Sequence, residues 1–484
     1  METIYWHDYE TFGADTRKDR PCQFAGVRTD LDLNIIEEPA TIYCKPNDDF
    51  LPSPDACLIT GITPQLAYKE GVSEAEFSSF INAIFSVPGT CVAGYNSIRF
   101  DDEISRNLFY RNFYDPYERE WKNGNSRWDI IDLVRLTYAL RPDGINWPLD
   151  EKGCPSFRLE RLTELNNIKH EAAHDAMSDV YATIAVAKLI KEKQPQLFDY
   201  VYKHKSKSAL LPFFENSDLK PVFHVSSKYP ASMGCSALVL PLFKHPNNSN
   251  GYVVFDLRQN PEELNQLSAE EIKLRLYSTN AHLQDQGKFR PALKAIHINK
   301  CPMVCPASVV KSISADRLIA WDLDLEKMTQ HLAWVRSHPE FISKILNIFS
   351  EAQEFPAETD PDLMIYSGFL NGIDKNLAAE VRQATELELA EKEYNFVDQR
   401  LPELLFRYKA RNFPGSLNED ETDKWEKYKT SKLLDNNSHY LTFNLYFERI
   451  QELATREGVT DRDLNILEDL KYYAESILPY SYEY

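Results

Sequence analysis

Two carboxylates stand two residues apart, Asp8 and Glu10, in the stretch IYWHDYETFG. Ile4 to Trp6 has the apolar character of a short buried strand, and side chains at i and i+2 of an extended chain face the same side. Both acids therefore aim at one spot, where like charges repel unless a proton or a cation lies between them. Acids projecting into water from a strand end are the bland alternative, and the choice depends on whether further carboxylates arrive from elsewhere. Candidates are Asp101 or its neighbour Asp102 in GYNSIRFDDE, which spacing alone does not separate, and Asp179 in HDAMSDV, five residues after His174. Four carboxylates and one histidine form the donor set required for metal-assisted phosphodiester hydrolysis. Hard cations such as Mg²⁺ or Mn²⁺ prefer oxygen ligands, and two of them about 4 Å apart can hold the attacking and leaving oxygens of an in-line displacement. A histidine of ordinary pKa suits removal of the proton from the attacking water.

These side chains need a scaffold, and residues 1–194 alternate strand-like and helix-like segments, the α/β pattern. IYWHD, Gln23 to Asp30, Ala40 to Pro46 and Thr90 to Asn96 are the expected strands. Phe77, Phe80, Ile81 and Ile84 recur at helical spacing, a helix begins near Asp101, and HDAMSDVYATIAVAKLIKEK is the clearest helix, with Asp175 as its N-cap. From 195 to 350 short β-like runs are broken by the turn-rich HPNNSNG, which predicts a small, partly β domain. Glu351 to Asp362 reads as an acidic, proline-containing linker, and the remainder of 351–484 as helices.

A chain of 484 residues with 43% hydrophobic and 12% aromatic content is a multidomain globular protein. Its first residues lack a basic segment followed by an apolar run, and no apolar stretch approaches the roughly 20 residues of a membrane helix, so a soluble, cytoplasmic protein with no membrane partner is expected. Eight scattered cysteines read as reduced thiols. His297, Cys301 and Cys305 lie close together, but without a second pair at ligand spacing they make a weak zinc signal. A net charge of −20 argues against a polyanionic partner. Its distribution reopens the question, because residues 195–351 hold 18 basic against 15 acidic side chains.

HDYET, GYNSIRFDDE and HDAMSDV resemble, in order and spacing, the three motifs of the DnaQ-like (DEDD) exonuclease superfamily, whose domain is RNase H-like. A histidine five residues before the last aspartate is similar to the DEDDh branch; the DEDDy branch would have a tyrosine where Asp175 stands. SRWDIIDLVR, RPDGINWP, PSFRLERLTELN, KPVFHVS and KARNFPGSL extend the resemblance to the bacterial exonuclease I family. It implies that Asp8, Glu10, Asp101 and Asp179 bind two Mg²⁺ ions, with Mn²⁺ as an alternative, and that His174 is the general base. It also implies an exonuclease domain, an SH3-like middle domain and an all-helical C-terminal domain around single-stranded DNA. The expected activity is 3′ to 5′ degradation to nucleoside monophosphates by a processive monomer in DNA repair and recombination. An exoribonuclease of the same superfamily and a non-catalytic binding module of the same fold are the rivals; the module would lack at least one of the five site residues.

Arginines alternate with aromatics in SRNLFYRNFYDPYEREW. Guanidinium forks suit phosphates, and aromatic faces suit unstacked bases. Phe109 and Phe113 read as core. Arg106, Tyr117, Arg135 and Arg158, with Glu10, Thr11 and Arg99 beside the motifs, are the expected DNA contacts, partly through the resemblance. LITGITPQ, with Thr63 as N-cap and Pro64 after it, is similar to a segment that lies against the terminal nucleotide in DnaQ-like enzymes. Arg141 and Lys220 are candidates for the acidic C-terminal tail of single-stranded DNA-binding protein, a partner the resemblance supplies.

Overall fold

The strand that delivers Asp8 and Glu10 is longer than the sequence suggests: β1 runs over Thr3–Thr11. Apolar alternation persists beneath the acids. Tyr5, His7 and Tyr9 are buried on one face, while Ile4 and Trp6 are buried on the side that continues into the two carboxylates. Trp6 Nε1 donates to Thr29 Oγ1 at 2.9 Å, satisfying a polar atom that would otherwise be stranded in the core.

The computed structural model describes residues 2–170, 175–215, 218–351 and 357–479. They divide into two units: Met1–Ser126, His170–Thr183 and Pro356–Tyr484 form the first, Arg127–Lys169 and Ile184–Phe355 the second. In the first, β1 is followed by β2 (Pro21–Thr29), β3 (Ala40–Cys44), β4 (Gly71–Val72) and β5 (Thr90–Gly94), in the order β4-β3-β2-β1-β5. β1 pairs antiparallel with β2 as far as Glu10 opposite Gln23, whereas its parallel pairing with β5 stops at Trp6 opposite Ala93. β1 thus carries its acids beyond the carboxyl end of β5, where open α/β sheets leave room for ligands. At that end a side chain on Gly94 would meet the His7 carbonyl oxygen at 3.0 Å and Ser97 Cβ at 2.8 Å, so glycine permits the turn that follows.

Helix α1 (Glu74–Phe85) opens with the reciprocal Ser73 and Glu76 capping bonds. It buries Phe77, Ile81 and Phe85 against Tyr5, Phe24 and Val92, while Phe80 stays on the exposed face. α2 (Asp101–Arg111) follows β5 after a short connection. α3 (Ala176–Lys193) starts as its sequence suggests, with Asp175 Oδ2 accepting from the Ser178 amide at 3.0 Å. The late helices of the first unit include α4 (Leu401–Asn412), α5 (Glu419–Leu434), α6 (Phe443–Ala454) and α7 (Asp461–Ser476). Phe443, Tyr446, Ile450 and Leu467 form one core with Phe12, Phe50, Leu58 and Ile62, and Leu401, Leu404 and Tyr408 form another with Tyr110 and Phe113. LITGITPQ is capped by Thr63 as expected and anchors Leu58 and Ile62 in the first of these cores.

The second unit contains a five-stranded antiparallel sheet of β6 (Val222–Val225), β7 (Ser236–Lys244), β8 (Gly251–Asp256), β9 (Leu293–His297) and β10 (Met303–Pro306), in the order β9-β8-β7-β6-β10. HPNNSNG is the connection between β7 and β8. Val222, Val239, Val254 and Ile296 form its core with Leu210. No described helix is long and apolar enough to cross a membrane.

Asp360 and Asp362 depart from the linker expectation. Both engage the late helices, and Asp362 is 1% exposed. Arg411 bridges Asp362 and Asp49 at 2.6 and 2.8 Å, Lys432 reaches Asp49 at 2.7 Å, and Arg407 holds Asp360 and Asp362 at 2.5 and 3.0 Å. Burial opposes ionisation of Asp49, but Arg411 and Lys432 outweigh it and hold the carboxyl below its usual range; Arg411 does the same for Asp362. A carboxylate with a depressed folded pKa contributes stability above its ordinary pKa of about 4 and loses that contribution as pH falls further. Asp49→Asn, which leaves Arg411 and Lys432 facing a neutral amide, is expected to cost about 3–5 kcal/mol at pH 7 and to flatten the decline in stability below about pH 4. Denaturant unfolding from pH 3 to 7 measures both effects.

Candidate active site

Asp8, Glu10 and Asp179 meet at the end of β1: one carboxylate oxygen from each lies within 4.8 Å of the others. The first two share a strand face through their i, i+2 spacing, and the third comes from the first turn of α3. Asp101 joins them from the start of α2, with its Oδ1 accepting from the Tyr9 amide at 3.2 Å. Its neighbour Asp102 points elsewhere. Arg119 donates to Asp102 Oδ1 at 2.6 Å, both side chains are almost wholly buried, and the guanidinium stacks 4.9 Å from the Phe85 ring. The structure thus separates two aspartates that spacing could not.

The electrostatics follow from this crowding. Removal from water and the nearby Asp101, Glu10, Asp179 and Asp175 push the Asp8 carboxyl well above its ordinary pKa. Burial, with Asp179 and Asp175, raises Glu10 to about 8. Such a group of oxygen donors, in which negative charge is uncomfortable, fits hard divalent cations. His7, beside Asp8 in sequence, turns to the opposite face: its Nδ1 contacts the Ala93 carbonyl oxygen at 3.1 Å. Burial, reinforced by Arg119, pushes the ring down to about 4, leaving it neutral and remote from base chemistry.

His174 lies outside the described residues. His170, which the sequence did not single out, places Nε2 2.5 Å from Asp179 Oδ1, with only 7% of its side chain exposed. Asp175, expected only as a cap, also adds a fifth negative charge near Glu10. Neither had a local signal: a ring nine residues before an acid follows no helical or strand period.

The expected DNA contacts have varied surroundings. Thr11 is buried and donates to the Gly13 carbonyl oxygen at 2.6 Å. Arg99 is exposed. Arg106 is almost wholly buried: Glu120 takes its Nε at 2.8 Å and its Nη2 at 3.0 Å while Glu103 takes Nη1 at 2.8 Å, and only 4% of the residue is exposed. Its guanidinium instead lies 5.2 Å from the centre of the half-buried Tyr117 ring. Tyr117 meets the highly exposed Phe369 edge-on, with 5.7 Å between ring centres. In the second unit Arg135 is buried against Asp132 at 2.6 Å, and Arg158 is exposed. Arg141 is exposed and donates to Ser312 Oγ, and Lys220 is exposed beside Asp218. Cys301 and Cys305 are buried, and the only group of three or more potential metal ligands among the described residues is the one at β1.

Two substitutions test this geometry. Asp8→Asn removes one of the crowded negative charges and is expected to stabilise the metal-free protein by about 0.5–2 kcal/mol while abolishing the rise in melting temperature on adding Mg²⁺. Asp102→Asn leaves Arg119 buried without its carboxylate and is expected to cost about 3–5 kcal/mol. Thermal melts with chelator and with Mg²⁺ measure both.

Three family models cover the chain in sequence: Exonuclease over residues 5–187, Exonuclease I SH3-like domain over 205–351 and Exonuclease I C-terminal domain over 359–477. Exodeoxyribonuclease I of Escherichia coli K12 is 42% identical over 482 residues, which span 99% of this chain and 98% of that protein. A moderately thermophilic exonuclease I from Methylocaldum szegediense superimposes with a TM-score of 0.93 at 47% identity, over 99% of this chain and 100% of that one. The zinc-bound crystal structure of the E. coli enzyme with single-stranded DNA superimposes with a TM-score of 0.92 at 41% identity, with the same coverage. Likeness of this extent, spanning the acids of β1 and the late helices alike, places the chain in the exonuclease I family.

Proposed function

We propose that the protein is a divalent-metal-dependent exodeoxyribonuclease that degrades single-stranded DNA in the 3′ to 5′ direction and releases nucleoside 5′-monophosphates. The observation that carries this reading is the convergence of Asp8, Glu10 and Asp179, with Asp101 beside them, at the end of β1. Membership of the exonuclease I family supports it, as does the DNA-bound relative.

Asp8, Glu10, Asp101 and Asp179 are the residues that would hold the ions, and Mg²⁺, with Mn²⁺ as substitute, suits their all-oxygen character. When bound, the metal supplies Lewis-acid stabilisation of charge on the phosphoryl oxygens and a more acidic water. His174 is assigned as general base from its place in the third motif, and its loss is expected to lower the rate by about 10²–10⁴. Phe369 and Tyr117 supply a ledge on which bases can stack, at about 1–3 kcal/mol per base. Arg106, held by Glu103 and Glu120, acts on this ledge by keeping Tyr117 in place. Thr11 lines the end of β1, Arg99 and Arg158 are exposed forks for phosphates, and Arg135 is assigned there with its Asp132 partner. Arg141 and Lys220 are the proposed contacts for the acidic tail of single-stranded DNA-binding protein. The absence of a disulfide at any of the eight cysteines suits a reducing cytoplasm. Processive action by a monomer in DNA repair and recombination completes the reading.

Incubating 3′-labelled single-stranded DNA with Mg²⁺ should release labelled mononucleotide, and chelator should stop it. Asp8→Ala and Asp179→Ala should each abolish release without loss of fold. Label that persists with the wild-type protein overturns the reading, and full activity in either variant overturns the ligand assignment. A matched RNA oligomer degraded faster than DNA would select the exoribonuclease rival.

A further inference from the structure

The carboxylate of Asp179 is in a difficult place. It stands on the first turn of a helix with a fifth of its side chain exposed, while it and the nearby Asp8 and Glu10 disfavour negative charge on one another. Repulsion of this kind favours a rotamer that swings the group away from the end of β1 into water. The observed carboxylate nevertheless stays within 4.8 Å of its neighbours. Its Oδ1 meets His170 Nε2 at 2.5 Å, and the imidazole is itself packed, with 7% of its side chain exposed. A packed ring that donates an N–H to one oxygen sets the orientation of the whole carboxylate. Helix α3 cannot provide this restraint alone, because the backbone fixes Cβ and leaves χ1 and χ2 free.

We infer that His170 is a positioning residue that holds Asp179 against Asp8 and Glu10 in the geometry a divalent cation requires. This rests on the metal-site reading above. It assigns His170 a task separate from that of His174, exerted through Asp179. Partners that orient a ligating group typically alter metal affinity 10–100-fold when removed.

Mn²⁺ binding to the purified full-length protein, followed by the free-ion electron paramagnetic resonance signal without DNA, separates the possibilities. Variants His170→Ala, His170→Gln, His170→Asn, Asp179→Asn and the His170→Ala/Asp179→Asn pair are compared with wild type. His170→Ala is expected to weaken binding 10–100-fold. His170→Gln, whose amide reaches about as far as Nε2, should restore most of the loss, and the alanine should have no further effect when Asp179 is already Asn. Unchanged affinity in His170→Ala, failure of Gln to restore it, or a full additional loss in the double variant overturns the inference. If the alanine variant does not fold, Gln against Asn decides, since the two differ by one methylene: tighter binding with Gln supports the inference and equal binding overturns it. A wild-type protein that takes up no Mn²⁺ overturns the metal-site reading itself and this inference with it, a result distinct from normal uptake by wild type and His170→Ala alike.

Discussion

Mutual repulsion among carboxylates is the constraint on which the first unit is built. Two unit charges 4.8 Å apart interact by about 3 kcal/mol at the effective dielectric of a partly buried site, and a typical domain has only about 5–15 kcal/mol of net stability. Several such pairs cannot be maintained by loops. They are carried on a central strand paired on both sides and on the first turns of two helices, elements whose backbone geometry is fixed by many bonds that do not involve the acids. Part of the charge is also relieved chemically: burial with Asp179 and Asp175 beside it raises the Glu10 carboxyl to about 8, which favours its neutral form.

At several other places in the unit, buried charge is matched by opposite charge. Glu74 sits between Arg111 and Arg20, Asp102 faces Arg119, and Asp49 and Asp362 share Arg411 with Lys432 and Arg407 at their flanks. Each ensemble sets positive groups against negative ones at hydrogen-bonding range, the arrangement in which buried ions are tolerated. The end of β1 differs because Asp8 and Glu10 have further carboxylates as neighbours. This contrast, more than the number of acids, distinguishes a carboxylate cluster suited to cations from a structural ion network.

What the sequence revealed was what local periodicity encodes. Alternation along β1 put Asp8 and Glu10 on one face, apolar spacing gave α1 and α3, and turn residues marked the β7–β8 connection. Hidden features all depended on partners far along the chain. Asp101 and Asp102 are equivalent until Arg119, 17 residues away, claims the second. Arg106 resembles a phosphate fork until Glu120 folds back onto it from 14 residues on. Asp360 and Asp362 have a linker's composition, and only Arg407 and Arg411, more than 40 residues later, bury them. His170 obeys no short-range period at all. Phe369 carries no mark in sequence beyond being aromatic, and its exposure is visible only once the chain is folded.

Lys432 and Arg411 answer Asp49 from 383 and 362 residues downstream, and this bears on the order in which a ribosome delivers the parts. Every acid at the end of β1 has emerged before residue 200, yet Phe12, Phe50 and Leu58 still lack the late helices that cover them, and Asp49 still lacks its cations. Vectorial synthesis therefore holds the nuclease incomplete for most of its translation. Closure of this core has to wait for the late helices to be made, and a prematurely terminated product carries the acids with Phe12, Phe50 and Leu58 uncovered.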